Sequence, residues 1–485
     1  MTEHPPPKVL ISGAGLGGLL LAIILERACI PYHLFERASS VKPLGAALGL
    51  NANILPVFEQ LGLLDELQKI AFPCVDLELR HEDLRSIGSI DISGFKEKAG
   101  YHTYIFHRPD LYDVLLSQIP SENISFNKKL VNFEQDKDRV TIHTSDNETF
   151  KGDILVGADG AYSAVRRSLY EQIQKTDELP ASDLEVFKVG YICMVGTTNP
   201  LDPEKYPVLK DTRCHFTTII GEDRPHTWLT CSLPGNRISF IVAEQLDEKT
   251  AQEVAFRNSE WTPESNEKMI REVRNFAFKH ARSRTEAKGE MLVLGDLINQ
   301  TRPELISKVF LEEKLFETWH HGRTVLIGDA CHKMQPSGGQ GAVNAMEDAV
   351  ILANCLYDIS GGKEPVTAER ITEAFRDYRE QRYPHAKFQV ENSKGMAKLL
   401  NGQTWTERLV RTVVYNLPTW LVSQKYLKQA GYRPQIMFLP TVPEPEDLEI
   451  YPQKPSTRYQ EELAAKGQRF QRLKAKRMSV EYKID

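Results

Sequence analysis

Lys8-Val9-Leu10-Ile11-Ser12-Gly13-Ala14-Gly15-Leu16-Gly17-Gly18 passes from an apolar run into a cluster of glycines, and the Leu, Ile and Ala of Leu16 to Ala28 follow with the texture of a buried helix. Pro31-Tyr32-His33-Leu34-Phe35-Glu36 then reads as a second strand, so the chain opens on a βαβ unit. Gly13, Gly15 and Gly18 fall between strand and helix. Lacking side chains, they permit a tight turn, close backbone approach to a pyrophosphate, and close packing of helix on strand. The helix N-terminus, with unpaired N–H groups and a positive dipole end, then faces the phosphates. Glu36 ends the second strand near the expected offset of about 20 residues, where a carboxylate accepts hydrogen bonds from an adenosine ribose and repels a 2′-phosphate. Arg37 beside it reads equally as a residue stacked on adenine and as a solvated arginine.

Two further motifs lie far downstream in a fixed order. Ile154-Leu155-Val156 leads into Gly157-Ala158-Asp159-Gly160 and on to Ser163 and Arg166. Gly322 to Ile327 is an apolar strand feeding Gly328-Asp329-Ala330-Cys331-His332, followed by Pro336 and Gly338-Gly339-Gln340-Gly341. A carboxylate directly after a buried strand needs donors, and ligand hydroxyls would supply them to Asp329. The glycines from Gly338 open a helix over Gly341 to Leu356, so their N–H groups can face a group that becomes anionic.

Between these motifs, Gly49 to Ile70 shows a helical pattern, Arg108-Pro109-Asp110-Leu111 begins a helix to about Ile119, and strands are expected at Arg139 to Thr144 and Phe150 to Gly157. From Val186 to Leu246 the texture becomes alternating, with strands at Val186–Gly196, Arg213–Gly221, Thr227–Leu233 and Arg237–Glu244, as in a separate antiparallel sheet. Glu264 to Ala281 reads as helix. Beyond Thr367 the chain is expected to be helical, broken at Pro384, Pro418 and Pro434, and Lys454 to Lys476 to be a solvated helix or frayed tail.

At 485 residues the chain suits two or three packed domains, at a prior of about 150 residues each. With 41% hydrophobic and 26% charged residues and a net charge of -6, it has no basic field for a polyanion, so no nucleic acid is expected. Seven dispersed cysteines without a C-x-x-C pair indicate neither a disulfide framework nor a metal site. Met1 to Pro7 has no apolar run and the terminal residues form no retention address, so a cytoplasmic location is expected. Leu409 to Leu427 is the longest apolar stretch of the tail. It is interrupted by Arg411, Asn416, Pro418 and Lys425, and a helix packed on the enzyme body is favoured over peripheral membrane contact.

Taken together, these motifs resemble those of group A FAD-dependent monooxygenases, the para-hydroxybenzoate hydroxylase-like class, over residues 8 to about 360. Gly157 to Arg166 resembles the class's second signature and Gly328 to Gly341 its third. The resemblance implies an α/β fold: a three-layer Rossmann-like FAD-binding domain, an antiparallel-sheet substrate domain and a helical C-terminal tail. The FAD-binding parts are expected at 1–80, 106–183 and 291–365, the substrate domain at 81–105 and 184–290, and the helical region at 366–485. It also implies that Asp159 lies by the pyrophosphate and takes part in handling reduced nicotinamide, and that Asp329 binds the ribityl chain. Arg108 is implied near the FAD, Gly49 within the segment Gly45 to Asn53 beside the flavin ring, and Pro336, Gly339, Gly341 and Ala342 around that ring.

In the implied reaction NAD(P)H, bound transiently, reduces FAD, O2 adds to give a C4a-hydroperoxide, and one oxygen passes to a small-molecule substrate. Tyr191, Cys193, His215, Phe216, His226 and Trp228 are candidates to line the substrate pocket; no catalytic base is assigned. The tail, with Gly431-Tyr432-Arg433-Pro434-Gln435 and Phe438-Leu439-Pro440, is similar to fungal monooxygenases of the indole-diterpene and meroterpenoid epoxidase type. That points to hydroxylation or epoxidation of a bulky apolar, prenylated or terpenoid substrate in secondary metabolism. Alternatives left open are an aromatic hydroxylase, decarboxylative or not, a plain oxidase or reductase, and a non-enzymatic escort protein of the same fold.

Overall fold

The structure, a computed structural model, describes residues 4–40, 47–222, 224–246, 263–280, 291–361, 364–402 and 404–466. Gly45, at the start of the segment expected beside the flavin, lies outside them, as does the tail beyond 466.

Three strands form a parallel core: β1 (Val9–Ser12), β2 (Tyr32–Phe35) and β3 (Ile154–Gly157), with β1 in the middle. A fourth, β4 (Thr324–Leu326), pairs parallel with β3, and short strands extend both edges into six. β1, β3 and β4 are buried at every position, as expected for parallel strands covered on both faces. Helix α1 (Leu16–Arg27) is buried from Leu16 to Leu25 because it is sandwiched between this sheet and the third-motif helix.

The remaining helices used below are α2 (Arg108–Leu116), α3 (Ala164–Gln174), α4 (Gly341–Ile359), α5 (Ala368–Asn401), α6 (Trp405–Tyr415) and α7 (Thr419–Ala430). α1 packs along α4 and α4 along α5, which gives the helical layer on one side of the sheet. A three-stranded antiparallel meander, Leu130–Gln135, Val140–Thr144 and Thr149–Gly152, leads into β3.

The second sheet is larger than expected and not purely antiparallel. It runs from His332–Lys333 through Ser307–Leu315, Lys188–Thr197, Arg237–Gln245, His226–Leu233 and Cys214–Ile220 to Ala71–His81, Tyr104–His107 and Ala47–Leu50, with Ser86–Asp91 alongside Ala71–His81. Cys214–Ile220 pairs parallel to Ala71–His81, and both that long strand, all but its last residue, and Ala47–Leu50 belong here although they lie within 1–80. Its two faces carry different cores. Ile192, Met194, Trp228, Phe240 and Val242 pack outward under Met269, Val273, Phe276, Phe278 and Leu297, while Tyr191, Cys193, Val195, Leu311 and Ala397 form a cluster on the opposite face.

Several local expectations are corrected. Gly49 to Ile70 is not one helix: Ala47–Leu50 is a strand, and helices Leu55–Gln60 and Leu64–Lys69 are separated at Gly62, whose φ of +74° is left-handed. Phe150 to Gly157 is two strands in different sheets, split at Asp153. The expected helix Glu264–Ala281 ends at Val273, and the chain continues as strand Ala277–His280, with Phe276, Ala277 and Phe278 all buried in the outer core. Pro384 does not break α5. Arg382 before it is ion-paired to α4 and His385 after it is stacked on Tyr432 at 3.6 Å, so tertiary bonds on both sides offset the lost backbone hydrogen bond.

Candidate functional site

The three motifs come together because their strands are neighbours. The turns after β1, β3 and β4 all leave the carboxyl ends of adjacent parallel strands, where ligands of open α/β sheets bind. Backbone bonds lock them in register: Gly13 N–H donates to Phe35 O (2.8 Å), Ala158 N–H to Ser12 O (2.8 Å) and Ile327 N–H to Gly157 O (3.0 Å).

The glycines divide into two kinds. Gly13 has φ +105°, and a Cβ there would lie 2.4 Å from Ala158 O; a Cβ on Gly18 would lie 2.1 Å from Gly13 O. These two are demanded by packing of the protein against itself. Gly15, by contrast, is exposed, and a Cβ on it would meet nothing within 4 Å; Gly160 and Gly339 are likewise open. The motifs also touch one another: the backbone of Ala345 in α4 is where a Cβ on Gly17 would collide (2.8 Å), and its side chain faces Gly328. Neither α1 at Gly15 nor α4 at Gln340 has a side-chain cap, which leaves their first N–H groups to an outside partner. Open glycines and uncapped helix ends form a cradle that fits a dinucleotide pyrophosphate and a flavin.

Glu36 stands at the carboxyl end of β2 and is half-buried. Its Oε2 accepts from Ala14 N–H and its Oε1 from Ala38 N–H, each at 2.9 Å, which aims the carboxylate along the glycine turn. Arg37 is exposed. Arg108 is the exposed first residue of α2, which packs on α1 and carries Tyr112 within electrostatic reach of Glu36. Next to Arg108, Asp110 accepts from His107 Nδ1 (2.8 Å) and Arg237 (3.0 Å), tying α2 to the second sheet. Gly49 lies in that sheet's edge strand, across from Ile105.

Asp159 has a structural task as well as its place in the motif. Its Oδ2 accepts from Ala164 N–H (2.8 Å) and Val165 N–H (3.2 Å) at the start of α3, and burial pushes its carboxyl up. Arg166 is not directed at the cradle. It donates to Ala161 O (2.6 Å) and Ala330 O (2.8 Å) and lies over the Phe316 ring at 4.1 Å, strapping the second motif to the third. Asp329 is a third exposed and pairs with Lys333 Nζ at 2.6 Å. Pro336 and Gly339 are exposed, and Gly341 and Ala342 half-buried, at the entry to α4.

Beneath the third motif lies a charge network that sequence reading did not find. Asp348 accepts from Gly328 N–H (2.8 Å), His332 Nε2 (2.6 Å) and Arg382 Nε (2.7 Å), all fully or almost fully buried. Arg382 also reaches Glu347 at 3.0 Å and the Asn344 side chain at 3.1 Å. Two carboxyl groups share one guanidinium. Asp348 is held down to about 2 by His332 and Arg382 against its burial, whereas burial drives Glu347 up to about 8. Cys331, His332 and Asp348 lie close enough to hold a cation, but the Asp348 oxygens are already engaged and burial pushes the Cys331 thiol well up, so the cluster is a hydrogen-bonded brace.

The six residues proposed to line a substrate pocket fall on both faces of the second sheet. Trp228 is buried on the outer face, donating from Nε1 to Ala277 O (2.8 Å), and His226 lies beside Phe276 there; His215 is held between Asp76 (3.0 Å) and Asp211 (2.9 Å). Tyr191, Cys193 and Phe216 belong to the opposite face. That face leads to the third motif, since Gln335 Nε2 donates to Leu311 O (3.3 Å) and a Cβ on Gly338 would meet Ser393 of α5. The hollow of about 530 Å³ beneath Tyr432–Lys454 is lined by none of the three motifs.

Comparison with known proteins agrees with this geometry. A family described as FAD binding domain matches residues 7–190 and 243–393. The FAD-dependent monooxygenase nvfK of Aspergillus novofumigatus is 30% identical over 400 residues, covering 79% of each chain. The FAD-dependent monooxygenase ausM of Emericella nidulans is 27% identical over 451 residues, covering 91% of this chain and 88% of its own. Among solved structures, Klebsiella pneumoniae HpxO complexed with FAD and uric acid superimposes with a TM-score of 0.68 at 21% identity, covering 88% of this chain and 97% of its own. CtdE in complex with FAD and a substrate gives 0.65 at 18%, covering 87% and 96%. At those identities the likeness to the two structures is one of fold.

Proposed function

The chain belongs to the FAD binding domain family as an FAD-dependent monooxygenase of the fungal secondary-metabolite type, and we propose that it uses NAD(P)H and O2 to hydroxylate or epoxidise a bulky, apolar organic substrate. Bound FAD supplies the redox and oxygen-transfer chemistry. In this reading Gly15 leaves the pyrophosphate its approach to the α1 N-terminus in the turn that Gly13 and Gly18 allow to close, and Glu36 takes the adenosine ribose, with Arg37 beside it. Asp159 and Arg108 flank the cofactor, Asp329 takes ribityl hydroxyls, and Gly49, Pro336, Gly339, Gly341 and Ala342 border the flavin ring.

The observation that carries the reading is the pairing of this open glycine cradle with one apolar sheet face. Tyr191, Cys193, Val195 and Leu311, buried together with Ala397 of α5, make this sheet face apolar on the third-motif side, in keeping with a terpenoid or prenylated skeleton more than with a carboxylated phenol, which needs a cationic partner. The same surface excludes water from the oxygen-transfer step.

The test is anaerobic reduction of the visible flavin band by NADPH or NADH, with and without prenylated indoles, terpenoids and phenols. Acceleration by the apolar compounds, with label from ¹⁸O2 appearing in product, is the expected result. Acceleration by phenolic acids alone would move the reading to an aromatic hydroxylase; fast bleaching without any addition and no label in product would make the protein a reductase or oxidase.

A further inference from the structure

α6 and α7 pack on the enzyme body with one side only. On that side Arg411 donates to the carbonyls of Leu399 (3.1 Å), Leu400 (3.2 Å) and Gly402 (3.0 Å), Tyr415 packs with Leu79, Ile90 and Ile220, and Asn416 Nδ2 donates to Ile87 O (2.8 Å). A Cβ on Gly88 would lie 2.4 Å from Tyr415 O, so the helix sits hard against the second sheet. A Thr404–Glu407 capping box fixes its start. This is a firmly built helix, held in one orientation.

Its other side is apolar and uncovered among the described residues. Trp405, Leu409 and Val413 follow at four-residue steps along one ridge of α6, with Val410 alongside, and Leu417, Trp420 and Leu421 stand exposed directly after it, at the turn and the start of α7. Trp405 is 76% and Trp420 59% exposed. These seven make up nearly half of the sixteen large apolar side chains that stand exposed among the described residues, so the ridge is a concentrated patch and not the scatter normal for a protein surface.

Charge identifies the occupant. The chain as a whole carries -6, yet with Arg411 turned into the body residues 404–430 still hold Arg408, Lys425 and Lys428 against Glu407 alone, three minus one, or +2. A second copy of this chain docking through the same patch would bring like charge against like charge. An anionic lipid surface satisfies both features: it buries the ridge at the acyl boundary, sets the two tryptophans at headgroup depth, and attracts the flanking lysines. No helix among the described residues is long and apolar enough to cross a membrane, so the contact would be in-plane. We propose that the α6–α7 ridge docks the enzyme on the surface of an anionic membrane. This does not depend on the identity of the substrate.

The experiment uses the flavin-loaded full chain with phosphatidylcholine vesicles, with and without phosphatidylserine, read by co-sedimentation and by quenching of tryptophan fluorescence with lipids brominated in the acyl chain. Binding to the phosphatidylserine vesicles that weakens with salt, together with quenching, is expected. Trp405→Ser should weaken partitioning by about tenfold, as should Trp420→Ser, and Leu409→Glu with Val413→Glu should abolish it, while flavin content and reduction by NAD(P)H stay unchanged. Quenching seen in the parent and lost in the Trp405→Ser, Trp420→Ser double variant is assigned to the ridge, because that difference reads only those two of the chain's five tryptophans. No binding by the unaltered enzyme, equal binding by the variants, or a solution dimer that the Leu409→Glu, Val413→Glu variant dissociates would each overturn the proposal.

Discussion

Substituting Gly15 separates the cofactor's demand for glycine from the fold's own. Its backbone, at φ -69° and ψ 175°, is extended, a conformation open to any residue, and a Cβ there meets no atom within 4 Å. Gly15→Val should therefore fold as well as the parent, with a melting temperature of the flavin-free protein at least equal to it, because a glycine is removed from the unfolded chain's entropy. What the valine occupies is the space through which a pyrophosphate reaches the α1 N-terminus. Losing two charge-assisted hydrogen bonds of about 1.5–3 kcal/mol each predicts flavin affinity weaker by about two to four orders of magnitude. Gly18→Ala is the contrast: its Cβ at 2.1 Å from Gly13 O has nowhere to go, so the apoprotein itself should be destabilised or fail to fold. The assay is flavin absorbance after gel filtration, flavin titration of the apoprotein, and apoprotein thermal melts. A Gly15→Val protein that folds and keeps flavin at parental affinity would refute the assignment of this turn to the cofactor.

Asp329→Ala should cost little stability, since its partner Lys333 is solvent-exposed enough that the pair is worth about 0–1 kcal/mol, but should weaken flavin binding about tenfold or more, measured by the same titration. Arg382→Met strands two buried carboxyl groups and should lower unfolding free energy by about 3–5 kcal/mol in denaturant melts, with flavin lost as a consequence. Glu347, pushed up to about 8, is protonated in the fold and ionised when unfolded above about pH 4.5; stability is thus fully present below the unfolded value and falls as pH rises toward 8. Glu347→Gln should flatten that decline between pH 5 and 8, and an unchanged pH profile would contradict the neutral carboxyl. Cys193→Ser, which puts a hydroxyl of nearly the same size into the apolar cluster, should weaken the acceleration of flavin reduction by substrate while leaving flavin content intact, whereas Trp228→Ala, on the outer face, should lower the melting temperature without changing which substrates are accepted.

The parts of the fold that could be read from sequence are those where local residues settle the outcome. Strand, glycine turn, helix and Glu36 occur within one continuous stretch, and β1, α1 and β2 lie within a residue or so of where that stretch puts them. The alternating strands from Lys188 to Gln245 were likewise visible, because a period of two is a local property. Which face of each strand turned inward was not. Trp228 and Phe216 are both apolar aromatics on neighbouring strands, and only the presence of Phe276 and Phe278 above one face and Leu311 and Ala397 near the other assigns them to opposite sides.

The same limit hid the charge network. Arg376 to His385 reads, residue by residue, as a solvated helical face, and Glu347-Asp348 as an acidic pair in a helix that ought to be apolar. Neither is intelligible until α4 and α5 are placed side by side, where each explains the other. A buried Arg382 requires carboxylates, and a buried Asp348 requires donors, of which Gly328 N–H and His332 are supplied by the third motif itself. The brace thus fixes the turn that carries Asp329 from behind, with φ +62° at Gly328 held by the Asp348 carboxylate, and leaves the front of that turn free. A brace built this way keeps the turn rigid without using any group on its open side, which is why these supports are charged residues in a helix interior.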